Sequence, residues 1–209
     1  KRTRNNTDTE HLESIADEFT LNIKQKLVFM KVAHTFLQEI SFQTQNSKVT
    51  PDPLPNPTPT QLLAYIGGPG GTGKSQVIKA IQKLFLDFKR NDWLRSAAFT
   101  GAAAANIHGS TLNSLMKDNK IKNKKKDDNL TVSMDQLIKL RESLGGVKFI
   151  IIDEVSMINT HTLSKVDARM KQANSNEAPF GGAHVLFFGD FVQYAPVIPR
   201  SLYLSLINI

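Results

Sequence analysis

The sequence predicts an α/β domain in which a mostly parallel sheet is covered by helices on both faces. Short apolar segments alternate with segments of helical periodicity along most of the chain, which is typical of strand–helix units. The apolar segments lack the alternation with polar residues that marks a half-exposed sheet, so we expect both of its faces to be buried. A glycine-rich turn between the first apolar segment and the next helix favours the same class.

The N-terminal region is predicted to contain one helix. Residues 1–9 are polar, and we expect them to form a disordered tail. Apolar side chains then recur at steps of three and four residues, which predicts a helix over residues 21–41. Thr20 stands where the residue that caps this helix is expected.

A proline-rich stretch over residues 43–60 separates this helix from the rest of the chain. Proline occupies every second position from Pro51 to Pro59, which excludes a helix or a central strand and predicts a stiff, extended connector. We therefore expect an N-terminal part at 1–60, made of tail, helix and connector, and a main domain at 61–209.

Strands and helices are expected to alternate throughout the main domain. The predicted strands cover residues 62–66, 97–100, 147–152 and 183–188. The predicted helices cover residues 74–88, 102–107, 134–144 and 163–173, with a short turn at 111–116.

Composition excludes several classes of protein. The chain has 209 residues, enough for one main domain with a buried core. It contains no cysteine, which excludes a disulfide scaffold, a thiolate zinc site and a cysteine nucleophile. No apolar run approaches the roughly 20 residues that span a bilayer, so we expect no membrane association. The chain begins with Lys1 rather than Met, and we expect it to be a piece of a longer protein.

The net charge of +7 arises from two basic clusters on a nearly neutral body. One cluster comprises Lys1, Arg2 and Arg4, and the other is a lysine-rich loop at 117–128. Such clusters suit a bound polyanion such as nucleic acid. They equally suit a disordered tail and a solvated loop, and charge alone does not separate the two readings.

The strongest functional signal is a glycine-rich loop that matches G-x-x-x-x-G-K-[ST] from Gly68 to Ser75. In such loops, backbone amides and the N-terminus of the following helix bind phosphate oxygens. Lys74 is expected to reach the β- and γ-phosphates of a nucleotide, and Ser75 to ligate Mg²⁺. The alternative is a glycine-rich turn beside a surface lysine. The predicted nucleotide-binding residues of the loop are Gly68, Pro69, Gly70, Gly71, Thr72, Gly73, Lys74, Ser75 and Gln76.

Two further signals follow apolar strands. Asp153 and Glu154 end one strand, where Asp153 would hold Mg²⁺ and Glu154 would act as general base toward an attacking water. The alternative is two acids in a turn that caps the next helix. Gln193 follows the last strand, and its amide could contact both the γ-phosphate and that water. Without that context, it would be an ordinary surface residue.

These segments, in this order, resemble the PIF helicase family, the RecD-like branch of superfamily 1 DNA helicases. The resemblance extends over about residues 20–200. Besides the glycine-rich loop at 68–75, the phosphate loop, it rests on residues 21–30, 99–111, 151–157, 189–197 and Pro179–Gly182. It implies a RecA-like P-loop NTPase domain, the first of two motor domains, in an ATP-dependent helicase that moves 5′-to-3′ on DNA. The implied cofactors are ATP or ADP and Mg²⁺.

The resemblance also assigns roles to individual residues. Gln25 is similar to the glutamine that recognises the adenine edge. Thr100, Gly101 and Ala102 resemble the segment that grips the backbone of single-stranded DNA. The same DNA-facing surface would include His108, Gly109 and Thr111.

The implied partners are single-stranded or forked DNA and the missing second RecA-like domain. We expect this piece to be monomeric and nearly inactive alone, and the resemblance implies a nuclear or mitochondrial protein. The chain departs from the family pattern at Asn113, where His is usual, and at Tyr194 and Ala195, where Leu-Pro is usual. The alternatives are a P-loop ATPase acting on something other than nucleic acid and a nucleotide-binding module without turnover.

Overall fold

The structure, a computed structural model, describes residues 2–46, 58–116 and 133–191. These residues form a five-stranded sheet in which every neighbouring pair of strands is parallel. The strands are β1 (Leu63–Gly67), β2 (Leu94–Ala98), β3 (Ser110–Thr111), β4 (Phe149–Asp153) and β5 (His184–Gly189). The helices are α1 (Arg2–Glu18), α2 (Ile23–Asn46), α3 (Lys74–Asp87), α4 (Gly101–Asn106), α5 (Leu112–Leu115), α6 (Met134–Leu144) and α7 (Thr160–Asn174). The predicted α/β fold is confirmed.

The strand order β1-β5-β4-β2-β3 determines which loops can meet. The last strand, β5, lies between β1, which leads into the phosphate loop, and β4, which ends in the two acids. Gly67 at the end of β1 is level with Gly189 of β5, and Asp153 at the end of β4 is level with Ala98 of β2. Because all strands run the same way, their carboxyl ends line one edge of the sheet, where ligands bind in open α/β sheets.

The sheet is buried on both faces, and β4 shows why. Its side chains alternate between two apolar clusters, with Phe149 and Ile151 in one and Ile150 and Ile152 in the other. The first cluster is shared with α1, α2 and α3, and the second with α5, α6 and α7. Each fully buried side chain of this size contributes about 1.5–3 kcal/mol, so the two-sided burial of β4 is a main source of stability.

The expectation of a disordered N-terminal tail at residues 1–9 is wrong, because α1 runs from Arg2 to Glu18. Its C-terminal half carries the apolar residues Leu12, Ile15 and Ala16, which are buried in the same cluster as α2 and α3. The polar composition of the first turns hides the helix from a periodicity argument, since its apolar anchors lie at the far end. The N-terminal helices therefore share a core with the main domain.

The predicted helix over residues 21–41 is present as α2, but its ends differ. Asn22, not Thr20, caps it: the backbone N–H of Gln25 donates to Asn22 Oδ1 at 3.0 Å, and the N–H of Asn22 donates to Gln25 Oε1 at 2.8 Å. Thr20 instead has a positive φ of 48° in the turn between α1 and α2. The helix also continues to Asn46, past the predicted start of the proline-rich connector.

The second strand begins earlier than the predicted range of 97–100. Arg95 interrupts its apolar run, yet β2 includes this residue because its guanidinium donates to the carbonyls of Leu94, Asp92 and Ser143. The central part of the connector at 47–57, the lysine-rich loop at 117–128 and Gln193 lie outside the described residues. Within the described ranges, no helix combines the length and the apolarity needed to cross a membrane.

Candidate functional site

The glycine-rich loop connects the carboxyl end of β1 to the first turn of α3. Gly71 and Gly73 have positive φ values of 80° and 78°, a backbone conformation that glycine adopts without a steric penalty. Gly73 is the N-cap of α3 and provides no side-chain hydrogen bond to the helix. The helix N-terminus therefore faces the loop with its backbone amides, which is the arrangement that binds phosphate groups.

The side chain of Lys74 folds back over this loop. Its Nζ donates to the carbonyl oxygens of Gly68 and Pro69, the latter at 2.9 Å. Thr72 closes the same turn, because its hydroxyl donates to the Pro69 carbonyl at 2.8 Å. The ammonium group is thus held over the loop and does not extend into solvent. In this position it can meet the phosphates of a bound nucleotide.

Gln25, near the start of α2, contacts the phosphate loop directly. Its Nε2 donates to the carbonyl of Thr72 at 2.9 Å, while its Oε1 accepts the N–H of Asn22. A Cβ atom at Gly73 would lie 2.4 Å from Gln25 Nε2, which shows how closely the two segments pack. The structure therefore places Gln25 at the loop, and its role toward adenine stays a prediction.

The two acids stand at the end of β4. The Oδ1 atom of Asp153 accepts the backbone N–H of Glu154 at 2.9 Å. Burial raises the pKa of Asp153, and the neighbouring Glu154 carboxylate raises it further, whereas the Glu154 N–H and the charge of Lys74 lower it. Lys74 follows the carboxyl end of β1, and Asp153 ends β4 two strands away, so the two opposite charges share one edge of the sheet.

Glu154 has a partner that sequence reasoning missed. The hydroxyl of Thr100 donates to Glu154 Oε2 at 2.9 Å. The same hydroxyl caps α4, because it accepts the backbone N–H of Ala103 at 3.2 Å. Both Thr100 and Glu154 had assigned roles, but their contact depends on β2 being the neighbour of β4, which no local motif reveals. The backbone of Glu154 is left-handed, with φ 57° and ψ 42°.

The end of β5 is attached to the phosphate loop. The N–H of Gly68 donates to the carbonyl of Gly189 at 3.2 Å, and the hydroxyl of Tyr65 donates to the same carbonyl at 3.3 Å. The ring centroid of Phe191 lies 5.0 Å from that of Tyr65. The strand that leads toward Gln193 therefore borders the loop, as the sequence predicts, although Gln193 itself falls beyond the last described residue.

The residues assigned to DNA divide into two groups. Thr100, Gly101 and Ala102 follow the carboxyl end of β2, and Thr111 ends β3, where its hydroxyl accepts the N–H of Ser114 at 3.2 Å and caps α5. Ala98 of β2 is level with Thr111, so these residues share one edge of the sheet.

His108 and Gly109 lie elsewhere, before β3 begins. A Cβ atom at Gly109 would lie 2.4 Å from the carbonyl oxygen of Ser96, in the middle of β2. His108 is exposed and has a positive φ of 47°. The structure thus does not bring these two residues together with Thr100.

The residues at the site fit a magnesium ion that is bound together with a nucleotide. In the described part of the chain, no three or more His, Cys, Asp or Glu side chains cluster as a metal site. Mg²⁺ needs no such cluster, because it usually takes one or two protein oxygens and completes its shell with phosphates and water. The exposed hydroxyl of Ser75 and the carboxylate of Asp153 provide oxygens of the kind it prefers.

The parallel sheet, the phosphate loop and the acids at the end of β4 together define a P-loop nucleotide-binding domain of the α/β class. The family model of PIF1-like helicases matches residues 58–208. The chain belongs to the PIF1-like helicase family, as the sequence motifs predict.

Curated relatives agree with this family. The chain is 34% identical over 141 residues to the ATP-dependent DNA helicase PIF1 of Candida albicans, a match that covers 66% of this chain and 15% of that protein. It is 33% identical over 144 residues to the ATP-dependent DNA helicase RRM3 of Saccharomyces cerevisiae, covering 66% of this chain and 19% of the relative. The chain therefore spans less than a fifth of the length of these relatives.

Solved structures show the same fold. The crystal structure of the Pif1 helicase from Candida albicans superposes with a TM-score of 0.60 and 26% identity, over 85% of this chain and 34% of that one. The Bacteroides Pif1 helicase in complex with ADP-AlF3 and single-stranded DNA superposes with a TM-score of 0.53 and 28% identity, over 71% of this chain and 33% of that one.

Proposed function

We propose that this chain is the first RecA-like motor domain of an ATP-dependent DNA helicase that moves 5′-to-3′ along single-stranded DNA. The observation that carries the proposal is Lys74, which folds over the phosphate loop at the sheet edge where Asp153 and Glu154 also lie. The relatives support the substrates: two are described as ATP-dependent DNA helicases, and a Pif1 structure contains ADP-AlF4. The division into an N-terminal part at 1–60 and a motor domain at 61–209 belongs to this proposal.

The chemistry would be hydrolysis of the γ-phosphate of ATP. Lys74 would exchange its loop carbonyls for the β- and γ-phosphate oxygens, to which the loop amides also donate. Ser75 and Asp153 would hold Mg²⁺, which neutralises phosphate charge. Glu154 would accept the proton of the attacking water, and Gln193 would contact the γ-phosphate and that water. Gln25 would read the adenine edge from its position beside the loop.

Single-stranded DNA would bind across the carboxyl edge of the sheet, at Thr100, Gly101, Ala102 and Thr111. Relatives have been solved with single-stranded DNA and at forked double-stranded DNA, which supports these two DNA forms as partners. His108 and Gly109 would contribute only if the DNA extends past α4. A DNA substrate fits a nuclear or mitochondrial protein, as the resemblance implies.

The second RecA-like domain would complete the site. An arginine from such a domain stabilises transition-state charge and raises the rate by about 10³- to 10⁵-fold in related phosphoryl-transfer enzymes. We therefore propose that this chain binds ATP or ADP but hydrolyses ATP very slowly by itself. We also propose that it is monomeric.

The experiment that tests this function compares two substitutions in the full-length enzyme. Glu154→Gln should retain affinity for ATP but lower hydrolysis by about 10²- to 10⁴-fold, because the amide cannot accept the proton. Lys74→Ala should weaken nucleotide binding and abolish turnover. ATP affinity is measured with a fluorescent analogue, and turnover as phosphate release with and without oligo-dT.

Lys79→Ala is the matched control, since it removes a lysine from the same helix one turn beyond the loop and should leave both quantities unchanged. Normal turnover by Glu154→Gln would show that this residue is not the general base. Turnover that is indifferent to oligo-dT in the wild-type enzyme would favour a P-loop ATPase with another substrate.

A further inference from the structure

The side chain of Thr100, which follows β2, is bonded to the side chain of Glu154, which follows β4. A threonine hydroxyl has one hydrogen to donate, and here it goes to Glu154 Oε2 at 2.9 Å. The same oxygen accepts the N–H of Ala103 at 3.2 Å and so caps α4. One hydroxyl group therefore links the carboxylate proposed as general base to the start of the segment proposed to contact DNA.

The strand order shows to which side of β4 this bond draws the Glu154 carboxylate. β2, which leads to Thr100, lies on one side of β4, whereas β5 and then β1 lie on the other. The phosphate loop follows β1, so a Glu154 carboxylate bonded to Thr100 is drawn toward β2 and away from that loop. A general base must come within about 3 Å of the water that it deprotonates. The bond to Thr100 therefore competes with the catalytic position of Glu154.

We propose that Thr100 is a positioning residue that holds the Glu154 carboxylate toward β2 and thereby restrains ATP hydrolysis in the absence of DNA. A displacement of residues 100–103 by bound DNA would move the hydroxyl, because the Ala103 N–H ties it to α4. Release of the bond would free Glu154 to turn toward the nucleotide. The inference rests on the proposed function, since it assigns a control to the same hydrolytic site.

The test measures ATP turnover by the full-length enzyme with and without oligo-dT. Thr100→Val removes the donor at nearly constant volume. A hydrogen bond to a charged group shifts an equilibrium by roughly 10-fold or more, so DNA-independent turnover should rise by about 10-fold or more. Because Thr100 is also a proposed DNA contact, oligo-dT is titrated until each variant is saturated, and turnover at saturation should match that of the wild type, since the bond is already broken there. The stimulation by DNA should therefore fall.

Two further variants separate restraint from helix capping. Thr100→Ser keeps the hydroxyl and should restore the wild-type stimulation. Ser133→Ala removes a comparable cap from α6, where the Ser133 hydroxyl accepts the N–H of Gln136 at 3.3 Å, and should leave stimulation unchanged. If Thr100→Val lowers turnover both with and without DNA, or leaves the stimulation unchanged, the proposal is overturned.

A readout without nucleotide tests the bond itself. Melting temperatures of the 209-residue chain are compared for Thr100→Val, Glu154→Ala and the double variant. Because the two side chains are in contact, the two shifts should be non-additive, and strict additivity would contradict the bond. A wild-type enzyme without DNA-stimulated turnover would instead refute the proposed function, so the two failures are distinguishable.

Discussion

At the scale of single residues, the phosphate loop depends on glycine for two separate reasons. Gly71 has a positive φ of 80°, but a Cβ atom there would have nothing within 4 Å. Gly73 has a similar φ of 78°, and a Cβ atom there would lie 2.4 Å from Gln25 Nε2. Gly71 is thus required by backbone conformation alone, and Gly73 by conformation and by the close approach of α2.

Alanine substitutions can separate these two requirements. Gly146, which follows α6 outside the loop, provides the reference, because it has φ 78° with nothing within 4 Å of an added Cβ. Gly146→Ala should therefore cost only the left-handed penalty of about 1–2 kcal/mol. Gly73→Ala should cost more, because Gln25 must also move and lose its bond to Thr72. Both costs are measured by urea unfolding.

Gln25→Ala removes the obstructing side chain and provides the control. In the Gln25→Ala background, the cost of Gly73→Ala should fall to that of Gly146→Ala. Equal costs for the two glycine variants in the wild-type background would show that the contact with Gln25 contributes nothing.

The same residues show how far sequence can predict this site. The glycine, lysine and acid types were predictable, because phosphate binding requires them at fixed spacing after an apolar strand. The contacts of Gln25 with Thr72 and of Thr100 with Glu154 were not, since their partners are 47 and 54 residues apart in the chain. Only the order of the strands and the packing of α2 bring them together.

At the scale of elements, α2 is attached to both ends of the sheet. Its start contacts the phosphate loop through Gln25, and Glu39 near its other end is bonded to His184, the first residue of β5. Nδ1 of His184 accepts the N–H of Leu62 at 2.8 Å, so Nε2 carries the proton and donates to Glu39 Oε1 at 3.2 Å. Lys148 lies 3.7 Å from the other oxygen of Glu39. This network, in which Glu39 and His184 are buried, fixes the helix that carries Gln25.

The network makes stability depend on pH in a defined direction. Burial alone would raise the pKa of Glu39, but the hydrogen bond from His184 and the charge of Lys148 outweigh it and lower the pKa below 4.5. A carboxyl whose pKa is lowered by folding stabilises the protein above the pKa of the unfolded chain and loses this contribution as pH falls through the folded value. The free energy of unfolding of the wild type should therefore exceed that of Glu39→Gln by about 1.5–3 kcal/mol at neutral pH. This difference should shrink below pH 4.5.

The measurement is the free energy of unfolding in urea at a series of pH values from neutral to acidic. Glu142→Gln, at an exposed position of α6, is the matched control and should differ from wild type by a small, nearly constant amount. A Glu39→Gln deficit that stays constant on acidification would mean that the ionised carboxylate does not contribute.

Elements differ in how well the sequence predicted them. The bounds of α6 agree with the prediction of 134–144, because Ser133 and Gln136 form a capping box and two glycines follow. The Pro179–Gly182 motif could be noticed but not explained from sequence. Its Phe180 and Gly181 have positive φ values of 50° and 61°, and the Phe180 N–H donates to Asp167 Oδ1 at 2.6 Å, which attaches the corner before β5 to α7.

At the scale of the whole molecule, the loops that follow β1, β4 and β2 meet at one edge of the sheet. That edge carries Lys74, Asp153, Glu154 and Thr100, while the opposite end is closed by the Glu39–His184 network. The phosphate loop is also attached to β5, because the N–H of Gly68 donates to the carbonyl of Gly189. These contacts fix the loop and the acids at one edge, and in the proposed function the second domain would supply charge stabilisation and closure.

This division predicts what the 209-residue chain does alone. It should bind ADP and ATP analogues, because the phosphate loop, Lys74 and Asp153 are all its own. Its turnover at saturating oligo-dT should fall below that of the full-length enzyme by about 10³- to 10⁵-fold, the contribution expected of the missing arginine. Binding is measured by calorimetry and turnover by phosphate release. Lys74→Ala in the same chain should lose the binding, which shows that the signal comes from the loop. Vigorous DNA-stimulated turnover by the chain itself would contradict the need for a second domain.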